Sequence, residues 1–173
     1  NQKLVFTPHY KQHKNRYGIY FRLADMYTEI PESETDKYTI IDSLPVGNDQ
    51  YEFSHNMKSE KSGAGNHKGL MFRHAEPGGW FSYDLAVDNS TTNYLAVKYY
   101  SGDVGRTFSI YVNDILLEDV ILQDPNPNGF YDMYYEIPEA LTNKKDSVTV
   151  KFKATGTSYA GGIFDKLSTV KIK

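Results

Sequence analysis

The sequence predicts an all-β protein, built as an antiparallel β-sandwich of jelly-roll type. Three observations carry that expectation. Short runs alternate apolar and polar residues, turn-forming residues punctuate them, and the aromatic residues are of the kind that favours pleated, half-buried surfaces. Fifteen tyrosines and nine phenylalanines accompany a single tryptophan. No stretch holds an apolar stripe of helical period over three turns, and the nearest, 138–142, reads as one helical turn.

The runs follow in order. Tyr17, Ile19, Phe21 and Leu23 interleave with Gly18, Tyr20 and Arg22. Phe81, Tyr83, Leu85 and Val87 alternate with Ser82, Asp84 and Ala86, and Leu95, Val97 and Tyr99 with Ala96, Lys98 and Tyr100. Phe108, Ile110 and Val112 lead into Asn113-Asp114, which predicts a hairpin returning through Ile115–Leu117. Val148, Val150, Phe152 and Ala154 form the last such run. Each presents one apolar and one wet face, as antiparallel strands lining a core do. Pro77-Gly78-Gly79, Asp88-Asn89-Ser90, Ser101-Gly102-Asp103 and Asn143–Asp146 read as the turns between strands.

Composition bounds the function. The 173 residues carry a net charge of −3, with a pI near 5.9, which argues against a nucleic-acid surface. No apolar run reaches the ~20 residues that span a bilayer. The chain contains no cysteine, so disulfides, thiolate zinc sites and a cysteine nucleophile are excluded. It starts at Asn1 without an apolar leader, and so reads as a piece of a longer polypeptide.

Charge marks a boundary. Residues 1–24 hold Lys3, Lys11, Lys14, Arg16 and Arg22 and no acid, whereas Asp25, Glu29, Glu32, Glu34 and Asp36 follow around Pro31. This divides the chain into residues 1–38, a terminal strand of an upstream module plus an acidic linker, and residues 39–173, the sandwich.

Few residue constellations point to chemistry. His9 and His13 have a spacing that converges on a metal only on a helix, and Pro8 and the following strand pattern argue against one. Gly63–Gly69 lacks the ending of a phosphate loop and reads as a flexible loop, and 156–161 does not form a serine nucleophile elbow. Asp124, Asn126 and Asn128, with Gly129 sixth and Asp132 ninth, resemble the first half of a calcium loop but lack its final glutamate. They read either as a weak Ca²⁺ site or as a β-turn loop; no other cofactor is indicated. Glu52, Glu60, Glu76, Asp84 and Asp103 flank predicted strands and would serve glycoside hydrolysis only if two of them faced each other across a cleft. Gly78-Gly79 before Trp80 suggests a bulge or close backbone approach, with Trp80 either a core anchor or a platform for a sugar face. Tyr83, Asp84 and Arg106 would then supply hydrogen bonds, and Tyr99, Tyr100, Tyr131 and Tyr159 further aromatic surface.

Thr7-Pro8-His9-Tyr10, His13 and Asn15–Phe21 resemble the strand closing the catalytic module of the β-L-arabinofuranosidase glycoside hydrolases, family 127 and relatives. Asp42, Gln50–Glu52, Ser54–Asn56, Arg73–Ala75, Gly78–Asp84, Arg106–Phe108, Tyr135–Pro138 and Gly161–Phe164 resemble the β-sandwich module that follows the catalytic barrel in such proteins. The resemblance implies a galactose-binding-like fold. Catalysis there belongs to an (α/α)-barrel with a cysteine nucleophile, so no catalytic role carries over to this chain.

The expected function is therefore that of a non-catalytic accessory domain of a glycoside hydrolase acting on arabinose-containing polysaccharide, packed on the catalytic barrel of its parent chain. The alternative is a carbohydrate-binding module recognising plant polysaccharide through surface aromatics. Independent catalysis by a carboxylate pair is the third reading. The resemblance also implies a periplasmic or extracellular location. Residues 1–30 are expected as a long strand or hairpin, with Tyr17, Ile19 and Phe21 offering an edge through which two copies could dimerise.

Overall fold

Alternation in the sequence becomes a ladder of antiparallel strands in the computed structural model, which describes the backbone of residues 6–13 and 16–23 and residues 37–173 in full. Contacts divide the chain into two units, Asn1–Lys37 and Tyr38–Lys173. The first holds β1 (Phe6–His13) and β2 (Arg16–Leu23), antiparallel from Phe6 opposite Leu23 to His13 opposite Arg16. On a strand His9 and His13 lie about 13 Å apart at their Cα atoms, too far to share a metal. The acidic linker and the side chains of Tyr17, Ile19 and Phe21 lie outside the described residues.

The second unit runs β3 (Tyr38–Pro45), α1 (Asp49–Ser54), β4 (Lys58–His67), β5 (Leu70–Ala86) and β6 (Asn93–Tyr100). After a 3-10 turn at Ser101–Asp103 follow β7 (Thr107–Val112), β8 (Ile115–Ile121), β9 (Phe130–Ile137), α2 (Glu139–Thr142), β10 (Ser147–Ala154) and β11 (Ala160–Ile172). Hydrogen bonds link them in the order β8-β7-β10-β5-β11-β6-β9, with β3 also on β11 and β4 also on β5.

That ladder folds over on itself at β5. Residues 80–86 of β5 pair with β10, while residues 72–75 pair with β11. Laid flat, β7 and β6 would stand four strands, about 19 Å, apart. Instead Phe108 of β7 and Tyr99 of β6 bring their ring centroids within 6.0 Å. The two halves are thus the facing layers of a sandwich. Its core is one cluster: Phe81, Tyr83, Val150, Phe152, Phe108 and Ile110 from the first layer meet Leu44, Leu95, Val97, Tyr99, Ile163 and Leu167 from the second.

Local chemistry explains the turns. Asn113 and Asp114 both take positive φ, 52° and 64°, which a two-residue hairpin between right-twisted strands requires. Lys68 and Gly69 do the same between β4 and β5, at 50° and 85°. The expected flexible loop at Gly63–Gly69 is therefore a strand end and a tight turn. Pro77-Gly78-Gly79 is likewise not a turn between strands but the bend inside β5 where it crosses from one layer to the other. A Cβ on Gly79 would stand 2.7 Å from the Glu60 carbonyl oxygen and 2.8 Å from that of Lys61, so the close backbone approach read from the sequence is present.

A buried ion pair fastens α1 to this frame. Glu52 accepts from Arg73 Nε at 2.8 Å and Nη2 at 2.5 Å, from the Tyr83 hydroxyl at 2.6 Å and from Gly47 N at 2.8 Å. Burial pushes its carboxyl upward, but these four donors outweigh it and hold it below the usual carboxylate range. Burial, with Glu52 beside it, raises the Tyr83 phenol far above its ordinary value.

Candidate functional site

A cleft of about 340 Å³ opens where the β4–β5 turn, the Ser101–Arg106 turn and the 155–159 loop converge on the outer side of the second layer. Its floor follows from register. Phe72 and His74 lie opposite Gly65 and Gly63 on β4 and opposite Phe164 and Gly161 on β11. Because β4 offers only glycines there, the Phe72 ring lies flat against the strand: a Cβ on Gly65 would stand 2.7 Å from it. Phe72 and Phe164 pack with centroids 5.3 Å apart, and Tyr100 joins Phe164 at 6.1 Å.

A bulge in β11 keeps this arrangement in phase. Pairing jumps from Gly161–His74 to Ile163–Arg73, leaving Gly162 as the extra residue. Ile163 then turns to the core while Phe164 turns to the cleft. A Cβ on Gly162 would meet Asp103 Oδ2 at 3.0 Å and the Phe164 ring at 2.8 Å, so this glycine lets the wall close on the floor.

Polar groups rim the aromatic floor. Asp103 Oδ1 pairs with Arg106 Nη2 at 2.7 Å, and the Arg106 guanidinium lies 5.5 Å from the Tyr159 ring centroid. Ser158 Oγ accepts from Thr107 N at 2.8 Å, tying the loop that carries Tyr159 to β7. Lys68 donates to the Asn128 carbonyl at 2.6 Å and sits 4.8 Å from the Tyr100 ring centroid. His67 packs on Tyr100 at 4.7 Å, and its buried Nε2 has no hydrogen-bond partner among the described residues. Burial raises the Asp103 carboxyl, against the opposing pull of Arg106 and His67. Burial lowers the His74 imidazole, helped by Arg106 and Arg73 and opposed by Glu76.

Three residues nominated from the sequence therefore meet in one cleft: Tyr100, Arg106 and Tyr159. Two nominations are corrected. Tyr83 and Tyr99 are fully buried, because both face inward on alternating strands; Tyr83 serves Glu52, and Tyr99 accepts from the Tyr135 hydroxyl at 3.2 Å. Neither ring can reach a ligand. Tyr131 packs on the core, its hydroxyl accepting from Gln123 N. Asp84 accepts from Asn56 at 2.8 Å and Thr149 at 2.6 Å on the outside of the first layer, away from the cleft-lining residues.

The calcium ligands do not converge either. Asp132 belongs to β9 and pairs with Lys98 at 2.8 Å, directly across the ladder. Asn126 donates to the Phe130 carbonyl and accepts from Gly129 N through its own carbonyl, the hydrogen bonds of a β-turn loop; Asp124 and Asn128 are exposed in the same loop. Among the described residues no group of three histidine, aspartate or glutamate side chains is placed to hold a metal. Among the described residues Asp103 is the one acid lining the cleft, where hydrolysis by a carboxylate pair needs two.

Sequence reasoning missed Phe72, His74, His67, Asn66 and Phe164 as partners, and had Asp103 only as one of several acids flanking predicted strands. The usable signal was the glycine pair Gly63 and Gly65, which faces the aromatic pair Phe72 and His74 at matching spacing.

The same architecture recurs in known structures. The sandwich is similar to a family 35 carbohydrate binding module from an environmental isolate, at 15% identity and a TM-score of 0.56, over 76% of this chain and 96% of that one. It is similar to the C-terminal CBM6 of LamC, a marine laminarinase from Zobellia galactanivorans, at 11% identity and a TM-score of 0.52, over 75% and 98%. It also resembles part of an exo-beta-1,3-galactanase from Phanerochaete chrysosporium, at 13% identity and a TM-score of 0.50, over 73% of this chain but 28% of that one. At these identities the likeness is one of fold, the antiparallel jelly-roll sandwich of carbohydrate-binding modules and glycoside hydrolase accessory domains. No curated protein matches the chain. Residues 35–167 match a family model described as "Family of unknown function (DUF6805)", and the chain belongs to that family.

Proposed function

We propose that residues 38–173 form a carbohydrate-binding module whose ligand seats in the cleft floored by Phe72, Phe164 and Tyr100. The observation that carries this reading is the pairing of an aromatic floor with convergent polar groups: Asn66, His74, Asp103 and Arg106 surround it. The apolar face of a sugar ring packs on aromatic rings, while its hydroxyls need fixed donors and acceptors at the edge. The volume, about 340 Å³, sits low in the range of small-ligand sites and suits a chain end or branch rather than a long stretch. The shared fold with carbohydrate-binding modules supports the reading.

The wider context rests on the resemblance of 7–21 and 42–164. We place this module beside an (α/α)-barrel glycoside hydrolase in its parent chain, outside the cytoplasm, with arabinose-containing polymers as the first ligands to try. A second reading, an accessory domain that only packs on that barrel, draws on α1, whose Phe53 is 87% exposed and Tyr51 48%.

Calorimetric titration with arabinan, arabinoxylan, arabinogalactan and neutral galactan oligosaccharides separates the two. The module reading expects saturable heat that Arg106→Ala and Tyr159→Ala each weaken by about tenfold, the equivalent of ~1.4 kcal/mol. Heat untouched by both substitutions would place the ligand elsewhere. Silence across the panel would favour the packing role.

A further inference from the structure

The outer surface of the first layer carries a different arrangement. A groove of about 390 Å³ runs across β4, β5 and β10, with Trp80, Ser82, Lys58, Lys151 and Thr149 among its walls. Register shows how it is made. Ser82 lies opposite Lys58 on one side and Lys151 on the other, and Trp80 lies opposite Glu60 and Lys153. Two lysines thus flank one small side chain across two strand spacings, about 10 Å at their Cα atoms. A third lysine stands beside the indole on the next rung.

The charges on this face are unevenly satisfied. Lys151 pairs with Asp114 of the β7–β8 turn and holds its Nζ 5.5 Å from the Trp80 ring centroid. Lys58 and Lys153 are exposed, and neither has an ion-pair partner among the described residues. Glu60 is the one acid opposite the indole. An aromatic wall, a shallow floor and cations on both sides match a pyranose that bears a carboxylate. Its ring face would pack on the indole, the carboxylate would bridge Lys58 and Lys151, and Thr149 and Asn113 would meet hydroxyls.

We propose that this groove is a second glycan-binding site, distinct from the cleft, and that it takes a uronate-bearing polysaccharide chain lying across β4, β5 and β10. It does not depend on the cleft being occupied or on the cleft binding sugar at all.

Trp80 is the single tryptophan of the chain, so its emission reports this groove directly. Titration of the full chain with oligogalacturonate should give a saturable emission change that weakens as salt rises from about 0.05 to 0.5 M. The same oligomer with its carboxyls methyl-esterified should give little response. Lys58→Gln and Lys153→Gln should each weaken binding by about two- to fivefold, the scale of one exposed charge contact. Asp114→Asn, which frees Lys151, should strengthen it. All three positions are exposed, so circular dichroism should show an unchanged fold. No emission change, an equal response to the methyl ester, or an equal response to a single-stranded oligonucleotide would each overturn the proposal. So would affinities that ignore all three substitutions. Because calorimetry with neutral sugars reads the cleft and Trp80 emission reads the groove, either site can fail while the other stands.

Discussion

Glu52 shows how one side chain can be decided by its neighbours rather than by its position in the sequence. The sequence marks it only as one of several acids near predicted strands, yet it lies buried with four donors on two oxygens. Removing one partner of such a pair leaves an uncompensated charge in the core, so Glu52→Gln or Arg73→Met should destabilise the unit by about 3–5 kcal/mol in denaturant unfolding. Tyr83→Phe should cost less, about 1–3 kcal/mol, since one donor of four is lost. The pH dependence has a definite sign. The folded carboxyl titrates below its ordinary value of 4.5, so the stabilisation is present above that value and is lost as pH falls through the lower folded one. The gap between the native chain and Glu52→Gln should therefore be widest near neutrality and should close in acid. A gap that stayed constant down to pH 3 or so would show that charge has no part in it.

Among the elements, β5 governs the most. Its glycine bend lets one strand serve two layers, and the approach of Glu60 and Lys61 to Gly79 leaves no room for a methyl group. Gly79→Ala should push β4 outward and lower stability by about 1–3 kcal/mol, measurable as a fall in unfolding midpoint. Strands with one wet face were readable from the sequence: β6, β7, β10 and the second half of β5 all show period two, and the Asn113-Asp114 hairpin declared itself. Others were not. β4, with the sequence KSEKSGAGNH, has almost no apolar residue because it is an edge whose backbone pairs while its side chains face water. β9 carries aromatics at both odd and even positions, and β11 slips register at three places, so neither keeps a clean period. The cleft was harder still. Its members come from residues 66 to 164, and they meet only where the pairing of β4, β5, β11 and β6 brings the β4–β5 turn, the Ser101–Arg106 turn and the 155–159 loop together.

At the scale of the whole molecule, the division at Lys37 and Tyr38 makes a direct prediction. Residues 38–173 alone should unfold in one cooperative transition and bind the same sugars as the full chain, because the core cluster, cleft and groove all lie within them. A broad or multistep transition in the shortened chain would overturn this. The order of strands carries a further consequence. β10 and β11 lie at the centre of the ladder, yet along the chain they follow every other strand of it. Until they emerge, β5 has no partner on its inner edges, and β7 and β6 have no bridge between them. The nascent chain must hold that aromatic-rich, unpaired edge in solution until synthesis passes residue 172. Folding of this unit is then dominated by long-range pairing that cannot be completed before its last two strands are made, and the edge left open until then is a liability for aggregation.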